Sequence, residues 1–239
     1  MTSTALFVTC LVDQLFPRMG EAAVQLLEEA GCSVAFPEAQ TCCGQPAFNA
    51  GYRDAALPLA RRFVEIFEPY DAVVSVSGSC ASMTRVFSPG LFADDPAWSL
   101  RSRALAKRTF ELTEYLDSRG FQPRARFVGR VAYHPSCHLL RELGVDRAPR
   151  ELLSRVEGLE LVDLQDGAAC CGFGGAFSVK FPELSSAILD DKLRAVEASG
   201  AVMLTAADAG CLMQIGGGLA RNGSRVRTAH VAELLAGLA

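Results

Sequence analysis

The chain has 239 residues, half of them hydrophobic and 21% charged, with a formal net charge of −4. That is an ordinary globular composition, long enough for one large domain or two small ones. It lacks the concentrated basic face of a nucleic-acid binder and any apolar run near the roughly 18 residues of a membrane helix. The opening MTSTALFVTCLVDQLF has no basic leader or clear cleavage site, so no secretory signal is expected and the cytoplasm is the expected compartment.

In chain order, Leu6–Val8 reads as a short strand running into Thr9-Cys10. A helix is expected from about Arg18 to Ala30, with Ala22, Ala23, Leu26 and Leu27 on one face and Gly31 as its stop. Ser33–Phe36 is a second strand, followed by the loop TCCGQPAFNAG. A helix over about Arg53 to Phe67 leads to a third strand, Ala72–Val76, and then directly to Gly78-Ser79-Cys80. A connector follows: the loop SPGLFADDP and one helix from Trp98 to Arg119. The order then repeats: strand Arg130–Tyr133, helix near Pro149–Val156, strand Leu159–Leu164, loop DGAACCGFGG, helix Pro182–Ser199 and strand Ala201–Thr205. A short strand near Val226–Thr228 and a helix over Val231–Leu238 close the chain. Alternating strands and helices predict an α/β fold with parallel sheets and right-handed crossovers. Two halves, 1–124 and 125–239, are expected to pack as one body about a pseudo-twofold.

The cysteines follow the same repeat. Cys10, the pair Cys42-Cys43 and Cys80 occur in the first half; Cys137, the pair Cys170-Cys171 and Cys211 occur in the second. The lone cysteine and the pair have 31 and 32 residues between them, and the pair and the last cysteine 36 and 39. Each falls just after an expected strand, where parallel α/β sheets gather their ligands. Adjacent cysteines are poorly placed to form a disulfide with each other. Two sets of four thiolates therefore read as two metal sites, with iron–sulfur ligation favoured over zinc, whose structural sites use closer C-x-x-C knuckles, and over plain buried thiols. Gly44 and Gly172 follow the pairs, where the backbone has to turn without a Cβ. The ninth cysteine, Cys32, corresponds to Glu160 and is expected to be a buried structural thiol.

His134 and His138 bracket Cys137, and their first-half counterparts are Phe7 and Leu11. Either could tune a cluster or shuttle protons, or could simply pack or cap at a strand end. His230, at the start of the last helix, is expected to be structural. The run Gly172 to Gly175 lacks the third glycine of a dinucleotide loop, because Phe177 stands there.

These residues resemble the cysteine-rich CCG family, whose duplicated domain occurs in heterodisulfide reductase and in the iron–sulfur component of glycolate oxidase. The longer stretches FVTCLVDQLFPRMGEAAVQLLEEAGCSVAFPEAQTCCGQPAFNAG, SVSGSCASM, CCGFGGAFSVK and ADAGCLMQIGG are similar to its lactate-utilization branch over nearly the whole chain. The resemblance implies duplicated CCG-type halves and iron–sulfur clusters, two of the 4Fe-4S kind, cubane or noncubane, at the eight cysteines. It also implies an electron-transfer subunit in a system oxidising L-lactate to pyruvate, with a ferredoxin-like iron–sulfur protein and a smaller third subunit as partners. The fuller family motif ends in C-x-x-C; here Ser77 and Asp208 stand at its first position. Each half thus has four thiolates. A catalytic cluster acting on a disulfide or on another 2-hydroxy acid such as glycolate, helped by His134, His138 or Asp208, stays open, as does a zinc-bearing assembly module.

Overall fold

A computed structural model describes residues 3–239. The first half runs β1 (Ser3–Phe7), α1 (Cys10–Leu15), α2 (Pro17–Glu29), β2 (Ser33–Ala35), α3 (Gln45–Asn49), α4 (Arg53–Phe67), β3 (Ala72–Ser75), α5 (Gly78–Ser82), α6 (Pro96–Ala106), β4 (Thr109–Glu111) and α7 (Leu112–Ser118). A π turn over Met83–Phe87 and a 3-10 turn over Ser88–Phe92 join α5 to α6. The second half runs β5 (Arg126–Tyr133), α8 (Cys137–Arg141), α9 (Arg147–Ser154), β6 (Glu157–Val162), α10 (Ala176–Lys180), α11 (Pro182–Ala198), β7 (Met203–Ala206), α12 (Ala209–Arg221), β8 (Arg227–His230) and α13 (Val231–Leu235).

The strands form two four-stranded sheets of identical order, β2-β1-β3-β4 and β6-β5-β7-β8, parallel throughout. The expected α/β class and duplication are both present. One expectation fails: the helix predicted over Trp98–Arg119 is interrupted by β4, which pairs Thr109 to Val73 and Glu111 to Ser75. Three residues are too few to show a period of two in the sequence. Their pairing with a fully buried β3 decides their conformation.

Helix α2 illustrates the local logic. Pro17 sits in its first turn, where its missing N–H costs nothing. Gly31, at φ +79°, ends it in the left-handed region. Its buried face is Met19, Ala22, Ala23, Leu26 and Leu27, and burying one such leucine contributes about 1.5–3 kcal/mol.

The central core lies between the two sheets, and four helices fill it: α2 and α7 from the first half, α9 and α13 from the second. Helix α2 packs on α13, and α7 packs on α9. This is the pairing a pseudo-twofold requires, since α2 corresponds to α9 and α7 to α13. Each sheet has its own outer core, built on Phe63, Val64 and Phe67 of α4 in one half and on Leu189, Leu193 and Val196 of α11 in the other. With the inner faces locked together, the C-terminal ends of the two sheets open toward each other.

Candidate metal centre

Cys10 and Cys137 each begin a short helix, α1 and α8, just beyond the central strands β1 and β5. The cysteine pairs lie in the loops after β2 and β6, and Cys80 and Cys211 lie in the first turns of α5 and α12, after β3 and β7. Cys43 and Cys80 approach to 3.4 Å between sulfurs, and Cys171 and Cys211 to 3.2 Å. The Gly44 N–H donates to Cys42 Sγ at 3.4 Å, and the Gly172 N–H to Cys170 Sγ at 3.3 Å. Both glycines are in the left-handed region, φ +88° and +84°, which turns the chain that follows away from the pair without a Cβ penalty.

The structure brings all eight repeat cysteines to the wall of one cavity of about 180 Å³. Residue spacing indicated two sites; their common opening comes from how the halves are packed. Thr9, Ser136, His138 and Phe173 share the wall. Thr9, immediately before Cys10, has φ +73°. A β-branched residue held there costs about 1–3 kcal/mol, whereas its counterpart Ser136 has an ordinary φ of −58°.

Within each set one sulfur collects hydrogen bonds. Donation from Cys10, then Cys43, with the Gly44 N–H, holds the Cys42 thiol far below its ordinary value. Cys10 and Cys43 are pushed up, first by their hydrogen bonds to Cys42 and then by burial and neighbouring thiolate charge. Cys170 is lowered by Cys137 and Cys171 in the same way, and those two are raised. Thiols this close do not all ionise unaided, because each new thiolate charge opposes the next. A cationic centre relieves that repulsion, and sulfur donors suit iron–sulfur clusters and zinc. The donor chemistry therefore fits the group that the pattern implies.

The residues at the two missing cysteine positions meet at the pseudo-twofold. Ser77 Oγ–H donates to Asp208 Oδ2 at 2.9 Å, and the Ser79 N–H donates to the same oxygen at 2.9 Å. Asp208 Oδ1 accepts from the N–H groups of Gly210 and Cys211 at 3.1 and 3.4 Å, capping α12. Ser77 Oγ accepts from the Cys80 N–H at 3.5 Å, capping α5. The Gly78 N–H reaches the Ala207 carbonyl at 2.9 Å. Asp208 is buried, and these four contacts occupy its carboxylate. Here it orients both cysteine-bearing helices and joins the halves.

The histidines separate. His138 lines the cavity with Nδ1 3.6 Å from Cys137 Sγ. His134 is fully buried, and neither ring nitrogen has a partner among the described residues. A ring nitrogen, Cys171 Sγ and Cys211 Sγ lie within 4.8 Å of one another. Burial, then the nearby Lys192 charge, pushes His134 down to about 4, so its ring is neutral at physiological pH. His230 caps α13, its Nδ1 accepting from the Ala232 N–H at 3.1 Å, as expected of a structural residue. Cys32 is buried against the Tyr115 hydroxyl in the central core, outside the cavity wall.

Sequence reasoning misses Lys192. It lies on the buried face of α11 with Ser185, Leu189, Leu193 and Val196. A lone charge within that helical apolar stripe is the available signal.

The CCG cysteine-rich domain model matches residues 4–85 and 131–216. Lactate utilization protein A of Exiguobacterium sp. strain AT1b is 48% identical over 98% of this chain and 97% of its own. The protein of the same name from Bacillus subtilis strain 168 is 46% identical over 97% and 98%. The chain belongs to the lactate utilization protein A family of CCG cysteine-rich proteins. The crystal structure of a hypothetical protein from Helicobacter pylori shares the fold, with a TM-score of 0.68 at 11% identity over 98% of this chain and 48% of that one. Both segments matched by the CCG model contain the four repeat cysteines of their half.

Proposed function

We propose that this chain is an iron–sulfur electron-transfer subunit of a cytoplasmic system oxidising L-lactate to pyruvate. The observation that carries the proposal is the convergence of two four-thiol sets on one cavity. The lactate assignment rests on the names of the relatives. Oxidation of a 2-hydroxy acid to a 2-oxo acid releases two electrons and two protons. Iron–sulfur clusters accept electrons singly, so two clusters match that stoichiometry. Cys10, Cys42, Cys43 and Cys80 would hold one cluster, and Cys137, Cys170, Cys171 and Cys211 the other. The Ser77–Asp208 pair fixes the helices carrying Cys80 and Cys211 relative to each other. The partners are a ferredoxin-like iron–sulfur protein and a third lactate-utilization subunit. Residues 1–124 and 125–239 are proposed as the two units. Among the described residues no helix is long and apolar enough to cross a membrane.

A second reading is favoured by the shared cavity, which has room for a small ligand between the thiol sets. In that reading the site acts directly on a disulfide or a 2-hydroxy acid, with His138 at its wall.

The test is iron, acid-labile sulfide and zinc per chain, with the visible spectrum, on anaerobically purified protein. About eight irons and eight sulfides are expected for two four-iron clusters. Zinc without sulfide would overturn the proposal and make the chain an assembly module. Turnover of lactate or a disulfide by the isolated chain would favour the second reading.

A further inference from the structure

The two thiol sets have different walls behind them. Phe7 stands three residues before Cys10, and His134 three before Cys137. The helices after the cysteine pairs can be aligned by a shared contact. A Cβ at Gly44 would lie 3.5 Å from the Ala56 carbonyl, and one at Gly172 would lie 2.5 Å from the Ser185 carbonyl. Seven residues beyond those carbonyls stand Phe63 and Lys192. Phe7 and Phe63 pack edge to face with ring centroids 5.1 Å apart. The second half replaces that aromatic pair with an imidazole and an ammonium.

Both replacements are polar and buried. Lys192 is 2% exposed, and its Nζ donates to the carbonyls of Gly167 and Asp166, at 3.0 and 3.4 Å, in the loop leading to Cys170. Burial disfavours its charge and holds the amine below the usual lysine value, while the neighbouring sulfurs of Cys171, Cys170 and Cys211 favour the charged form. His134 is 0% exposed and has no partner for either nitrogen among the described residues, with a nitrogen facing Cys171 and Cys211. An imidazole in that state is costly unless it bonds to something the site holds.

We propose that His134 and Lys192 give the second site the higher electron affinity, so that a cluster on Cys137, Cys170, Cys171 and Cys211 is reduced before one on Cys10, Cys42, Cys43 and Cys80. This rests on the iron–sulfur reading above. Reduction adds one negative charge to a cluster. A buried cation and an N–H donor beside the sulfurs stabilise that charge. Phe7 and Phe63 offer neither. The greater exposure of Cys10 works the other way, but it concerns one ligand at the mouth. His134 is 0% exposed, and Lys192, 2% exposed, borders an open cavity that Asp166 also lines; both act where charge is less screened than in bulk water.

The test is an electron-paramagnetic-resonance titration of the full chain, purified anaerobically with its clusters, using dithionite as the one-electron donor. Each cluster takes up one electron, and no bond is made or broken. The wild-type protein should show two waves. When one electron has been added per chain, the second site should be the reduced one by about tenfold or more, or about 59 mV in midpoint potential. Lys192→Met should move the upper wave down and leave the lower one in place. Lys192→Arg should restore it. His134→Phe, which installs the residue the first half uses, should move the same wave down and alter its line shape. Coincident waves in the wild type, or an upper wave that neither Lys192→Met nor His134→Phe moves, would overturn the inference. Absence of iron and sulfide would instead sink the iron–sulfur reading, and this inference with it.

Discussion

Set side by side, the halves agree in backbone and differ in what surrounds it. Both place a lone cysteine after the central strand, a pair after the edge strand and a last cysteine after the third. Behind the first set lie Phe7, Phe63 and Phe67; behind the second lie His134 and Lys192. The same divergence recurs at the caps of the last helices. Glu111 caps α7 and His230 caps α13, each in a capping box and each fully buried. A duplicated fold keeps the elements that hold ligands because their geometry is shared. Residues one layer back are free to differ, and in the proposed centres they would tune each site.

The strongest way to break the comparison is to remove one proposed ligand at a time. Cys43→Ser should lose the first site and Cys171→Ser the second, each reducing bound iron by about half and abolishing growth on lactate. Iron analysis beside the growth assay checks this. Retention of full iron in both variants would remove these residues from the ligand set, and loss of all iron in either would show that the sites fold as one.

The joint between the halves comes next. Asp208→Ala strips caps from α12 and leaves Ser77 and the Ser79 N–H without their shared acceptor. A cost of about 3–4 kcal/mol is expected from breaking a buried charged network. Ser77→Ala should cost only about 1 kcal/mol. Denaturant titration of both variants measures the ratio; equal costs would mean that the carboxylate is not the organiser.

The glycine turns give a smaller contrast. Both need positive φ, but a Cβ at Gly172 would sit 2.5 Å from a backbone oxygen, while one at Gly44 has nothing nearer than 3.4 Å. Gly172→Ala should cost about 3 kcal/mol and Gly44→Ala about 1–2 kcal/mol by the same titration.

The buried caps predict opposing pH dependences. Burial pushes Glu111 up from 4.5 to about 7. Between those values the folded state holds the proton and the unfolded state does not, so stability falls as pH rises. Burial pushes His230 down from 6.5 to about 4. There the unfolded state holds the proton, so stability falls as pH drops, and His134 adds to that slope. Glu111→Gln should therefore be more stable than wild type at pH 7.5, by about 2–3 kcal/mol, with the margin vanishing near pH 4.5. A margin independent of pH would contradict this account of Glu111.

The eight cysteines, their grouping and their place after strands were legible in the residues, because spacing, turn glycines and apolar runs are local signals. So were the parallel α/β class and the duplication. The strand β4 was not legible, since Thr109–Glu111 becomes a strand only by pairing with β3. Nor was the meeting of Ser77 with Asp208, which are 131 positions apart. The single cavity shared by both thiol sets, and the Lys192 charge behind one of them, likewise depend on two sheets packing about four shared helices. The sequence alone determined which cysteines group together after the strands; packing between the halves decided that the two groups face one cavity and what lies behind each, because those contacts join segments that no local pattern connects.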